Sequence, residues 1–307
     1  MLIFLVILIL LICLIGLYLG YYYTFARSDR RCAGDKDIPK GKHYAPYRTK
    51  MISNIEKLLN TPCETVSIQS YDGLSLFGRY YHHKEDAPVV ILFHGYRSSP
   101  IRDASGGFWL FRDLGYNILL VDQRAHRSSQ GRTITFGIKE RYDCRGWVRY
   151  VSDRFGENTP IFLLGVSMGS ATVLMASELE LPGNVRGIIG DCGYSSIKGI
   201  LMAVMEQMKL PGNIGYPLLR LGAKVFGRFD PEESSPVEAL QHSQYPVLLI
   251  HGEDDRFVPC SMTHENHDAC SAVKEILTVP GSGHGMSFYG DPEGYSKAVM
   301  NFLDRCV

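Results

Sequence analysis

The sequence predicts an α/β fold, a mostly parallel sheet covered by helices on both faces. Three observations carry that reading. Short apolar runs, at 88–93, 117–121, 161–164, 185–189, 246–250 and 276–279, alternate with helix-compatible segments. Each run ends in a polar or glycine-rich cluster, and open parallel sheets collect their chemistry at the carboxyl ends of their strands. The run at 161–164 leads into Gly165-Val166-Ser167-Met168-Gly169 and then into a helical stretch, 171–180, which makes a tight strand–turn–helix around one serine.

The 307-residue chain begins with an uncharged apolar run, Leu2 to Tyr23. As a helix it is about 33 Å long, enough to cross a bilayer. Tyr18, Tyr21, Tyr22 and Tyr23 cluster at its end, like an interfacial aromatic belt. A cleaved signal peptide needs a basic leading region, a shorter apolar core and a small-residue cleavage site; the first two are missing and the third is poor. The expectation is therefore a single uncleaved anchor over residues 1–26, touching the membrane through 2–23. Residues 27–50 hold eight basic side chains (Arg27, Arg30, Arg31, Lys36, Lys40, Lys42, Arg48, Lys50) against Asp29, Asp35 and Asp37. This positive flank puts the rest of the chain in the cytoplasm. Residues 27–60 read as a basic, irregular linker followed by a juxtamembrane helix, 48–59, with apolar residues at 51, 52, 55, 58 and 59.

Residues 61–307 form the main domain. Strand-like 65–68 and 74–81 flank Tyr71-Asp72-Gly73, an Asp-Gly turn, and read as a hairpin. Helices are expected over 103–114, 138–151 and 292–303. Residues 197–235 interrupt the alternation. Ile197, Leu201, Val204, Met205 and Met208 make one helical stripe, Pro211-Gly212 breaks it, and 218–226 makes a second apolar segment. Two readings stay open for this insertion: helices packed on the sheet, or a short cap over a site.

Composition excludes some functions. The net charge is zero and no basic stripe carries interleaved aromatics, so no nucleic-acid partner is expected. The eight cysteines show no CxxC spacing and read as free thiols of a reducing compartment, with a Cys260–Cys270 bridge left open. His264 and His267, with Glu265 and Asp268, lack a convincing ligand set, so no metal is expected. Gly106-Gly107 has no phosphate-loop pattern around it, and no cofactor is expected.

A G-x-S-x-G pentapeptide arises by chance in roughly one chain in five of this composition, so the flanking strand and helix give it its weight. Residues Gly165-Val166-Ser167-Met168-Gly169, then Asp255 in His251-Gly252-Glu253-Asp254-Asp255-Arg256-Phe257-Val258, then His284 in Gly283-His284-Gly285, follow the order Ser…Asp…His. From about residue 61 onward the chain resembles the α/β-hydrolases, with the N-terminal anchor outside the match. The resemblance implies Ser167 as nucleophile, His284 as base and Asp255 as its orienting acid, with Asp254 the competitor for the last role. It also implies an oxyanion hole from the backbone N–H groups of Met168 and of Tyr96, in His94-Gly95-Tyr96. His94 then braces that loop, and Asp122, Arg124 and His126 make structural hydrogen bonds. An insertion at 197–235 forms a cap in this family.

The expected reaction is hydrolysis of carboxylic esters through an acyl-enzyme, on small or medium lipophilic esters. A serine peptidase or amidase, and a lysophospholipase or monoacylglycerol lipase, are the alternatives. A non-catalytic scaffold is a further one, opposed by the three intact residues.

Overall fold

The computed structural model of the protein describes residues 1–27 and 31–306; Asp29 and Arg30 of the basic flank lie outside them. In chain order come α1 (Leu2–Thr24), α2 (Arg48–Leu59), β1 (Glu64–Gln69), β2 (Ser75–Tyr81), β3 (Val89–Phe93), α3 (Pro100–Ala104), α4 (Gly107–Asp113), β4 (Asn117–Val121), α5 (Glu140–Phe155), β5 (Ile161–Val166) and α6 (Met168–Ala176). The second half holds β6 (Val185–Asp191), α7 (Ile197–Gln207), α8 (Gly212–Gly222), α9 (Pro236–Leu240), β7 (Val247–Gly252), α10 (Ser261–Ala269), β8 (Lys274–Val279), α11 (Ser287–Gly290) and α12 (Pro292–Cys306).

The strands form one eight-stranded sheet in the order β1-β2-β4-β3-β5-β6-β7-β8. β2 runs antiparallel to both neighbours, and the six strands from β4 to β8 across the sheet are parallel. The β1–β2 turn places Gly73 at φ +83°, a conformation that suits glycine. Alternate residues of β3 go to opposite faces, as strand geometry requires. Val90 and Leu92 pack with Ile55, Phe108 and Phe302 from α2, α4 and α12. Val89, Ile91 and Phe93 pack with Trp147 and Val148 of α5 and Leu174 of α6. Burying a side chain of this size contributes roughly 1.5–3 kcal/mol.

Two expected helices differ from the structure. The segment 103–114 is two helices. Ser99 caps α3, accepting from Arg102 N at 3.2 Å, with Pro100 in the first turn. The chain then breaks at Gly106, where a Cβ would stand 2.6 Å from the Phe288 ring. The second apolar segment of the insertion starts at Gly212, not at 218, and runs through Pro217. Contacts hold the turns on both sides of the proline: Gly215 lies against Met205 of α7, and Leu219 against Gly20 of α1. A π-helical turn, Ala223–Gly227, closes the insertion.

The N-terminal region divides in two. α1 is long and apolar enough to cross a membrane, and its side chains from Ile3 to Ile15 are exposed. Its last turns dock on the domain. Phe25 is fully buried, edge-on to Phe136 and Phe229 at 5.6 and 5.3 Å. Arg27 N donates to Arg132 O and Ile134 N to Phe25 O. The segment between α1 and α2 also packs on the domain: Ile38 joins the core under α2, beside Met51, Ile55 and Leu58. Among the described residues no disulfide forms, Cys260 and Cys270 included.

Candidate active site

β5 ends in a turn too tight for side chains on either flank. A Cβ at Gly165 would collide with the Gly169 carbonyl, and one at Gly169 with the Phe93 carbonyl. Ser167 itself sits at φ +57°, ψ −116°, a strained backbone for a residue with a side chain. Such strain costs on the order of 1–3 kcal/mol and persists where surroundings fix it. Here Ser167 N is tied to Asp191 O at 2.8 Å. The turn lifts the hydroxyl above the sheet at the N-terminus of α6.

His284 reaches that hydroxyl from the loop after β8. Its Nε2 lies 3.0 Å from Ser167 Oγ, and its Nδ1 lies 2.6 Å from Asp255 Oδ2. A proton on Nδ1 satisfies the carboxylate and leaves Nε2 free to accept from the serine. Tyr44, from the segment before α2, donates to the His284 carbonyl at 3.0 Å. Phe257 stands edge-on to the imidazole at 5.0 Å.

Asp255 is buried and heavily hydrogen-bonded, whereas Asp254 is exposed. Oδ1 accepts from Phe257 N and Val258 N at 2.8 and 2.9 Å. Oδ2 is shared with His251 Nε2 at 3.1 Å. Burial pushes this carboxyl up, but the His284 charge and the hydrogen bonds from His251 and His284 outweigh it and hold it well below the ordinary range. Burial pushes His284 down, and the Asp255 charge and hydrogen bond reverse this, leaving its pKa raised.

The N–H groups of Tyr96 and Met168 flank Ser167 and have no protein acceptor among the described residues. Two backbone donors beside a nucleophile can hold a developing oxyanion. The Tyr96 loop is braced from below. Gly95 N donates to Asp103 at 2.7 Å. His94 bonds Gly95 O through Nδ1 and accepts from Gln123 N through Nε2. His126 bonds Arg124 O and accepts from Arg97 N at 3.0 Å. Both imidazoles must be neutral to accept, and burial lowers the pKa of each. Arg124 grips Asp72 and Asp143, and Asp122 accepts from Ser128 N.

Ser167 sits between two cavities. One, of about 500 Å³, is lined by apolar side chains of α7 and α8 and by Gly16, Gly20, Tyr23 and Thr24 of α1. The insertion therefore lies over Ser167 as a cap. The other, of about 360 Å³, is more polar and is lined by Tyr44, Arg102, Asp103 and His284.

Of the residues expected from the sequence, Ser167, His284 and Asp255 are joined by hydrogen bonds, and Tyr96 and Met168 line the same cavity as Ser167. Sequence reasoning missed four contributors. Tyr44 and the α1 wall carry no local signal, because they reach the site only through tertiary packing. His251 stood in the quoted strand-end motif, without a role. Asp191, at the end of β6, is a buried carboxyl, raised to about 6 by desolvation and partnered by Tyr295 and Ser287. Among the described residues no three His, Cys, Asp or Glu side chains converge as metal ligands, and His267 pairs with Asp268.

Comparison with known proteins agrees with this fold. An uncharacterized protein of Bacillus subtilis, YqkD, is 25% identical over 293 residues, covering 95% of this chain and 92% of that one. The esterase Pf2001 of Pyrococcus furiosus has the same fold, with a TM-score of 0.66 at 24% identity over 81% of this chain and 93% of its own. The ferulic acid complex of Est1E from Butyrivibrio proteoclasticus superposes with a TM-score of 0.59 at 18% identity, over 78% and 98% of the two chains. The sequence profile of the alpha/beta hydrolase family matches residues 90–298, and the chain belongs to that family.

Proposed function

We propose that the protein is a serine hydrolase of carboxylic esters with a lipophilic acyl group. The observation that carries this is the chain of contacts Ser167 Oγ–His284 Nε2 at 3.0 Å and His284 Nδ1–Asp255 at 2.6 Å. Ser167 Oγ attacks the ester carbonyl as His284 Nε2 takes its proton. The Tyr96 and Met168 N–H groups hold the resulting oxyanion, and Asp255 steadies the imidazolium. The intermediate collapses, the alcohol leaves with the proton from His284, and the acyl group stays on Ser167. Water, deprotonated by His284, then releases the carboxylic acid.

The unlike cavities favour a lysophospholipase- or monoacylglycerol-lipase-like substrate within this class. The larger is apolar, suited to an acyl chain, and the other presents Arg102 and Asp103 to a polar alcohol. α1 serves as a single membrane anchor, with residues 61–307 as the hydrolase domain and the basic flank holding it on the cytoplasmic side.

The test is a p-nitrophenyl ester series, acetate to palmitate, on the full chain beside Ser167→Ala. Wild-type turnover, lost by roughly a thousandfold or more in the variant, is expected. Equal rates in the two proteins would overturn the assignment.

A further inference from the structure

The apolar cavity above Ser167 is walled by the same helix that is long enough to cross a bilayer. Gly16, Gly20, Tyr23 and Thr24 recur on one face of α1 and line it. The two helices close on each other at one level and part at another. A Cβ on Gly20 would stand 3.0 Å from Leu219, and one on Gly222 would stand 3.0 Å from Leu17 O. A Cβ on Gly16 meets nothing within 4 Å, so the cavity opens there.

The depth of that opening follows from the end of α1. Its last carbonyls are capped by polar groups: Arg31 and Arg97 donate to Tyr23 O, Arg31 also to Tyr22 O, and Tyr96 OH to Thr24 O. These groups mark the polar boundary. Gly16 lies about 12 Å along the axis from Thr24, at 1.5 Å per residue. With α1 across a bilayer, the opening faces hydrocarbon.

α8 carries a matching outer surface. Ile214, Leu218 and Leu221 of α8, with Leu210 just before it and Val225 in the π-helical turn after it, are exposed and recur at helical spacing. Leu210 and Leu218 also line the cavity, so the stripe starts at its mouth. α8 packs along α1, so hydrocarbon is the continuous medium for both.

We propose that the acyl chain enters sideways from the bilayer, between α1 and α8, with the outer stripe of α8 sunk in the same leaflet. The substrate is then a long-chain amphiphilic ester whose chain never crosses water, where each methylene would oppose its extraction. Gly16 sets how much chain the mouth admits. This rests on the ester-hydrolase reading of Ser167 and on α1 as a membrane span.

The test uses the full chain in phosphatidylcholine vesicles. Gly16→Phe fills the mouth from α1, and Leu218→Trp fills it from α8. In either, the palmitate-to-acetate ratio of kcat/KM for p-nitrophenyl esters is expected to fall at least about tenfold. Ile214→Trp, outside the cavity, is expected to be quenched by bromine-labelled lipid above the background of Trp109 and Trp147. Ratios within about twofold of wild type in both variants, or a Trp at 214 quenched by aqueous iodide and untouched by brominated lipid, would overturn the proposal. Fluorophosphonate labelling of Ser167 is read in the same samples. Its absence from the wild type counts against the hydrolase reading, whereas the lipid quenching does not depend on it.

Discussion

Ser167 stands between two regions held together by different forces. On the His284 side, loops at strand ends are fixed by hydrogen bonds. Asp255 alone takes four partners, namely His284, His251, Phe257 N and Val258 N. On the acyl side, α1, α7 and α8 meet through apolar side chains that line one cavity, and polar groups tie down the end of α1. A directional network fixes atoms to a fraction of an ångström and tolerates no exchange of partners. Apolar walls tolerate exchange of volume, and they suit a substrate recognised by its chain. The difference teaches that reaction type and substrate choice are written in separate parts of this chain.

The strongest way to break the comparison is at Asp255. Asp255→Asn keeps the shape and loses the charge, and kcat is expected to fall by about ten-thousandfold. Asp254→Asn, one residue away and exposed, should stay within about twofold of wild type. Equal losses in the two variants, read by ester turnover, would mean that the network does not single out one carboxylate.

Packing at the other side is tested by Phe25→Ala. This ring is fully buried against Phe136 and Phe229. Its truncation should cost about 3–5 kcal/mol in denaturant unfolding. Removing residues 1–15 instead should leave the unfolding midpoint of the detergent-solubilised protein unchanged, because the side chains from Ile3 to Ile15 are exposed. A Phe25→Ala midpoint equal to wild type would show that α1 does not belong to the folded unit.

Tyr96→Phe sharpens the join between the two regions. It keeps the N–H beside Ser167 and removes the hydroxyl bond to Thr24 O at 2.7 Å. A loss of about 1 kcal/mol, or roughly fivefold, is expected in kcat/KM for long esters. No change would mean that the end of α1 and the Tyr96 loop move independently.

The pH dependence gives the finest test. His284 acts as a base only when neutral, and Asp255 raises its pKa above the ordinary 6.5. Activity should therefore rise with pH through a midpoint above 6.5. In Asp255→Asn the residual activity should show a lower midpoint, since the raising charge is gone. His94 and His126 behave oppositely. Their folded pKa values are lowered, so their contribution to stability is present above 6.5 and is lost as pH falls below it. Thermal unfolding at pH 7 and pH 5 should separate the two effects.

The division between the regions also explains what could be read from the sequence. The strands β3 to β7 were legible because each is a short apolar run buried on both faces, and the Ser167 turn because only glycine fits at 165 and 169. Asp255 and His284 were legible because chemistry sits past strand ends in this topology. The Gly106 break was not, because it depends on Phe288, far along the chain. Nor was the α1–α8 wall, because an apolar run announces burial in something and not in what. Tyr44 is a single tyrosine in an irregular segment, and its bond to the His284 carbonyl exists only in the folded molecule.

The most direct measurement of the central claim is adduct mapping. Full-length protein, folded in detergent, is treated with a fluorophosphonate and digested, and the modified residue is located by mass spectrometry. The account predicts a single phosphonylated residue, Ser167, with labelling slowed in His284→Ala and in Asp255→Asn. Folded protein that takes up no label, or that carries it on another serine at the same rate in all three proteins, would contradict it.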